Sequence, residues 1–98
     1  MHEHGLAKEL LPQIERIAAS RGFVKVTRVE MIVGSLHGVK ADFLAHSFEH
    51  AFESGPFEGA EVAIRLVEPG ESFTPSGADE PMTANGWELL ITGIEGEK

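Results

Sequence analysis

The sequence predicts an α+β fold, a two-layer sandwich in which two helices pack on one face of a three-stranded mixed sheet, in the order α-β-α-β-β. Two patterns predict it. Apolar residues recur at helical spacing in residues 5–20 and 41–54, and they alternate with polar residues or are β-branched in 23–33, 62–66 and 87–95. Since the chain has 98 residues, these elements form one small domain around a single core.

Both predicted helices are amphipathic and have clear ends. In the first, Gly22 provides a left-handed cap, and Pro12 falls on the polar face, where its missing N–H should kink the helix and leave the carbonyl of Lys8 open to water. Gly55 and Pro56 end the second helix. The residues predicted to face the core are Leu6, Leu10, Ile14, Ile17 and Ala18 in the first helix and Leu44, Phe48, Ala51 and Phe52 in the second.

Three strands follow from the alternating segments. Val29, Met31 and Val33 share one face of the first strand, and Val62, Ile64 and Leu66 share one face of the second. The third has apolar residues on both faces, with Leu89 and Ile91 on one and Leu90 and Ile94 on the other. The last two strands are consecutive in sequence, so we expect them to run antiparallel.

The segment 68–86 is rich in Pro, Gly, Ser, Thr and acidic residues and has no apolar period. A connection this long within a small domain is typical of a functional or a disordered loop. Its composition favours disorder. We therefore expect a single domain over residues 1–98 with a flexible loop at 68–86.

Composition excludes several classes of protein. Without cysteine the chain forms neither a disulfide framework nor a thiolate zinc site. It has no apolar run of roughly 20 residues and no signal-peptide pattern, so we expect a cytoplasmic protein without membrane contact. Residues 51–98 contain 10 acidic residues and only 2 Lys or Arg, which disfavours nucleic-acid binding and suits a cation or a basic protein surface. No phosphate-binding loop or nucleophile motif is present, so we expect no enzymatic activity.

The amino terminus, Met1-His2-Glu3-His4, concentrates nitrogen donors in one short stretch. The α-amine of Met1, the His2 imidazole and the intervening backbone amide nitrogens can close small chelate rings around Ni(II) or Cu(II), which favour planar nitrogen fields. Such a site needs residues 1–4 to lie outside a helix. His4 is either an additional axial donor or a solvated side chain. The alternative is that all of these side chains are solvated and idle.

Three further histidines are candidate metal ligands. His46 and His50 are four residues apart on the second predicted helix, on one face and beside Glu49 and Glu53, so they either share an ion or are two exposed side chains. His37 lies in the loop after the first strand, where a ligand and an ordinary loop residue are both reasonable interpretations.

Several short motifs lie at residues 1–3, 26–29, 34–39, 48–49 and 88–95. In their order along the chain they resemble the HypA/HybF family. Members of that family are nickel metallochaperones of [NiFe]-hydrogenase maturation, which in some organisms also serve urease.

The resemblance implies a metal-binding function. It assigns the nickel ligands to the Met1 amine, the amide and imidazole of His2 and the amide of Glu3, and it implies two partners, a HypB-like maturation GTPase and the hydrogenase large subunit. HypA proteins carry a zinc module with two Cys-x-x-Cys pairs between their last two strands, whereas this chain has the cysteine-free segment 68–86 there. We therefore expect Ni(II) but no structural zinc. If metal binding were lost together with zinc, the chain would be a metal-independent adaptor or interaction module that docks a maturation GTPase or a hydrogenase subunit.

Overall fold

The computed structural model describes residues 2–53, 55–75 and 78–98, and for residues 2–4 it describes the backbone alone. Helix α1 spans His2–Ser20, three residues longer at its start than the sequence predicts. It ends as expected. Gly22 adopts a positive φ of 71°, and the N–H groups of Gly22 and Phe23 donate to the carbonyls of Ala19 and Ala18, which satisfies the last free carbonyls of the helix.

The remaining elements follow the predicted order, with two short strands added. Strand β1 spans Lys25–Gly34 and leads through a 3₁₀ turn, Ser35–His37, into helix α2. The other bounds are Ala41–Ala51 for α2, Glu61–Val67 for β2, Ser72–Phe73 for β3, Met82–Thr83 for β4 and Leu89–Glu97 for β5.

The main sheet has the order β2-β1-β5, with β1 parallel to β2 and antiparallel to β5. Helix α2 is the crossover that a parallel β1–β2 pair requires. Strands β2 and β5 therefore run in opposite directions, as expected, but they are not neighbours, because β1 lies between them. The predicted α+β fold with two helices on a three-stranded mixed sheet is confirmed.

A bulge in β5 changes which side chains share a face. Glu30 pairs with Gly93 and Met31 with Ile91, so Thr92 is the extra residue in the ladder. Leu89, Ile91 and Ile94 consequently all pack into the core under the helices, and only Leu90 faces the other side. The prediction that Ile94 shares a face with Leu90 is wrong, since strict alternation does not anticipate the inserted residue.

The principal core lies between the sheet and the two helices. Helix α1 packs against α2 and β5, and α2 packs against β2. Their fully buried side chains meet those of β1. This core contains Ala7, Leu10, Ile14 and Ala18 from α1, Leu44 and Phe48 from α2, Phe52 and Phe57 after it, and Val26, Val29, Met31 and Val33 from β1.

The segment 68–86 carries a small hairpin. Strands β3 and β4 pair antiparallel, and the N–H of Gly70 and the carbonyl of Glu71 both bond to Ala84 at 2.8 Å. Phe73 and Ala84 pack on Ile32 and Val67, on the sheet face opposite the helices. The segment expected to be a flexible loop therefore contains a hairpin that packs on the sheet. Strands of two residues are too short to produce an alternating pattern, so the sequence does not predict them.

Chain direction determines which elements meet at each end of the molecule. Helix α1 finishes beside the end of β5, where the N–H of Val24 donates to the carbonyl of Glu97 at 2.7 Å. Its 19 residues extend about 28 Å, similar to the length of β5. The first turn of α1 is therefore at the end of the molecule where β5 starts and β1 finishes. Among the described residues, no helix is long and apolar enough to cross a bilayer.

Candidate metal centre

The amino-terminal residues begin a helix. The expectation that residues 1–4 lie outside helical structure is wrong for His2 to His4, because α1 starts at His2. Met1 and the side chains of His2, Glu3 and His4 are outside the described part of the chain, so the structure does not show these donors together.

A helical start does not remove the amide donors. The first four N–H groups of an α-helix have no acceptor within the helix, so the amides of His2 and Glu3 break no hydrogen bond when a metal displaces their protons. Successive nitrogens in a helix rise by about 1.5 Å per residue, however, and do not lie in one plane with a common ion. A planar chelate at this terminus therefore requires the first residues of α1 to unwind.

His37 is held at the end of the molecule where α1 begins. Its Nε2 atom is 3.1 Å from the carbonyl oxygen of Trp87, two residues before β5, and its ring meets the Trp87 ring edge-on at 5.3 Å. Because a carbonyl only accepts, Nε2 donates in this contact, and in the neutral ring the lone pair is then on Nδ1. His37 thus has a free donor atom, but the structure does not show it joined to any donor of residues 1–4.

His46 and His50 lie on the exposed face of α2, as the sequence predicts. Their side chains are 83% and 66% exposed. The Nδ1 atom of His50 is 2.9 Å from a Glu53 carboxylate oxygen, and that of His46 is 4.0 Å from Glu49. Among the residues that the structure describes, no cluster of three or more histidine or acidic side chains is arranged to hold a metal ion.

Two carboxylates that sequence reasoning missed fix the ends of the hairpin. Partial burial acts to raise the pKa of Glu88, but the N–H groups of Asn85, Glu88 itself and Gly86 stabilise its carboxylate and lower the pKa overall. At the other end, the N–H of Glu68 and then the Arg65 guanidinium lower the pKa of Glu71. The only sequence signal was the Asn85-Gly86 turn just before Glu88.

Comparison with known protein families identifies the family of this chain. The family model described as "Hydrogenase/urease nickel incorporation, metallochaperone, hypA" matches residues 1–72. The chain belongs to the HypA family. The match begins at residue 1 and ends at the first residue of β3, so it covers both helices, β1 and β2.

Curated HypA proteins match most of the chain. "Hydrogenase maturation factor HypA" of Nitrosospira multiformis is 32% identical over 85 residues, which is 87% of this chain and 74% of the relative. The protein of the same name from Aeromonas hydrophila subsp. hydrophila is 32% identical over 111 aligned positions, covering 97% of this chain and 98% of the relative.

The HypA fold is also found among solved structures. The solution structure of the Ni metallochaperone HypA from Helicobacter pylori superimposes with a TM-score of 0.65 and covers 99% of this chain and 98% of its own. The two sequences are 17% identical, so this likeness concerns the fold.

Proposed function

We propose that this HypA-family protein is a nickel metallochaperone that carries Ni(II) to [NiFe]-hydrogenase, or to another nickel enzyme, during its maturation. The observation that carries the proposal is that the family match begins at residue 1, where α1 starts with amides that have no helical acceptor. Relatives of this chain are named hydrogenase maturation factors.

The cargo ion is bound by the amino terminus in this proposal. The ligands are the Met1 amine, the His2 amide and imidazole, and the Glu3 amide, with His4 and His37 as additional candidates. These are nitrogen donors in a planar arrangement, which suits Ni(II). Binding straightens the first turn of α1, while the buried residues from Ala7 onward keep the rest of the helix in place.

Calorimetric titration with nickel tests this donor set. Wild-type protein should bind one nickel tightly, and both His2→Ala and acetylation of the Met1 amine should remove this binding. Intact mass verifies that Met1 is present and unblocked. The matched control is His46→Gln/His50→Gln, which removes two exposed imidazoles elsewhere and should leave the tight site intact. Unchanged nickel affinity after acetylation would refute the proposal.

The remaining parts of the proposal concern zinc and partners. We infer that the hairpin of 68–86 takes the place of a zinc module, because the chain has no thiolate to bind one. Protein treated with a chelator should therefore keep its thermal stability. The partners are a HypB-like GTPase and the hydrogenase large subunit, and pull-down of each from a hydrogenase-producing cell tests them.

The adaptor function is the second candidate. It is favoured by exposed apolar side chains, among which Trp87 is 57% and Leu36 is 46% exposed, near the start of β5. Complementation distinguishes the two. A metal carrier with His2→Ala should fail to restore hydrogenase activity in cells that lack the protein, whereas a metal-independent adaptor with the same change should restore it.

A further inference from the structure

We propose that His46 and His50 form a second divalent-metal site, on the exposed face of α2 and independent of the amino terminus. The ion would be a borderline transition metal such as Zn(II), Ni(II) or Cu(II), for which neutral imidazole is a suitable ligand. Two imidazole nitrogens supply the protein ligands, and water completes the coordination.

The first support is helix geometry. Residues four apart on an α-helix have Cβ atoms about 5 to 6 Å apart on the same face. Two imidazoles at this spacing can direct one nitrogen each at a common ion, with metal–nitrogen distances of about 2.0 to 2.1 Å. Leu44 and Phe48 fix the rotation of α2 by packing into the core, which keeps His46 and His50 on the outer side.

The second support is the orientation of the rings. When Nδ1 donates its hydrogen to a carboxylate, the lone pair is placed on Nε2, and this arrangement is common for histidines that bind metals. The Nδ1 atom of His50 is 2.9 Å from a Glu53 carboxylate oxygen, as this arrangement requires. The Nδ1 atom of His46 is 4.0 Å from Glu49, which is an ion-pair distance rather than a hydrogen bond. The Glu53 contact leaves Nε2 of His50 for an ion, and the His46 side chain is 83% exposed, so its ring nitrogens are accessible.

The third support is the local field. His50 is in the last turn of α2, where the negative end of the helix dipole favours a cation. Helix α2 contains Asp42 and Glu49 but no Lys or Arg, and Glu53 follows directly. A divalent cation thus approaches a surface of opposite charge.

The spacing also matches a known zinc-binding pattern. Residues 46–50 read His-Ser-Phe-Glu-His, the H-x-x-E-H order in which some metalloproteases bind zinc between two helical histidines. Here Phe48 is buried and no third ligand is nearby among the described residues, so the pattern supports binding of an ion rather than catalysis.

Titration with zinc chloride tests the site. The full-length protein is acetylated at its amine so that the amino-terminal chelate cannot form. Calorimetry should show one zinc per chain, with the nitrogen resonances of His46 and His50 shifting together in NMR spectra. The change His46→Gln/His50→Gln should weaken binding by more than the roughly tenfold loss that removal of a carboxylate partner causes.

Two matched variants separate a shared site from separate weak contacts. The variant His50→Gln/Ala51→His keeps two imidazoles on the helix but places them about 140° apart, so it should lose binding like the double glutamine variant. Glu53→Gln should weaken zinc binding roughly tenfold, and Glu49→Gln less, since its carboxylate is farther from its histidine.

All these residues are exposed, so circular dichroism should show unchanged folding for each variant. If the variant with separated histidines binds zinc as tightly as the wild type, or if the double glutamine variant does, the site does not exist. Either result would leave the amino-terminal nickel site untouched, because the acetylated protein does not contain it.

Discussion

Replacement of Phe73 by alanine probes whether the segment 68–86 is a docked hairpin. Phe73 is 2% exposed and packs with Ile32, Val67 and Ala84 on the sheet face opposite the helices. Truncation of a buried phenylalanine typically costs about 3–5 kcal/mol. Since this cluster is small and can close partly over the cavity, we expect the lower end, about 3 kcal/mol.

This loss is large for a domain of 98 residues. At about 4–8 °C per kcal/mol, it corresponds to a decrease in Tm of about 12–24 °C. Urea unfolding followed by circular dichroism measures the free-energy change directly. The fluorescence of Trp87, the single tryptophan, reports separately on the region between the hairpin and β5.

Met82 provides the matched control. It pairs with Phe73 across the β3–β4 ladder but is 50% exposed, so Met82→Ala should change stability by no more than about 0.5 kcal/mol. If Phe73→Ala is as mild as Met82→Ala, the hairpin is not docked and the flexible loop expected from the sequence is the better description.

Four further predictions concern acid and glycine. Nickel should be released as the pH falls below about 6, because protons then compete with the metal for imidazole and amine nitrogens; retention at pH 5 in a spectroscopic titration would contradict the donor set. Because folding lowers the pKa of Glu88, its contribution to stability is complete above the ordinary glutamate pKa and disappears as the pH falls through the lowered one. Glu88→Gln should therefore reduce the difference in urea midpoint between pH 7 and pH 3, and an unchanged difference would show that this carboxylate is not responsible. A Cβ at Gly34 would overlap the backbone of Gly86, which cannot move aside as a flexible side chain could, so Gly34→Ala should destabilise the fold by about 2–3 kcal/mol, the upper part of the range for overpacking. A Cβ at Gly5 meets nothing, so Gly5→Ala should stabilise α1 by about 0.5–1 kcal/mol in the same assay.

The parts of the fold that the sequence predicted are those with a long apolar period. Leu10 and Ile14 in α1 and Val29 and Val33 in β1 are buried as the patterns indicate. Features that depend on one residue or on tertiary contact were not predictable. Ile94 changes face because of one bulged residue, and the hairpin strands are only two residues long.

In the candidate site, too, the features that local spacing specifies were predictable, and those that depend on tertiary contact were not. Spacing alone placed His46 and His50 on the exposed face of α2, beside the two glutamates that the structure finds there. The anchor of His37 is the carbonyl of a residue 50 positions away, which no local pattern specifies. The start of α1 at His2 is not predicted either. The extended conformation that a metal chelate requires was expected for residues 1–4, whereas the chain is helical from His2.

The position of β1 in the middle of the sheet has a consequence for biosynthesis. The amino terminus and both helices are synthesised early, but one side of β1 has no hydrogen-bonding neighbour until residues 89–97 have left the ribosome. An unpaired central strand is a template for association with other chains. A nascent or truncated chain that stops before Leu89 would thus expose one hydrogen-bonding edge of β1 and be prone to associate with other chains.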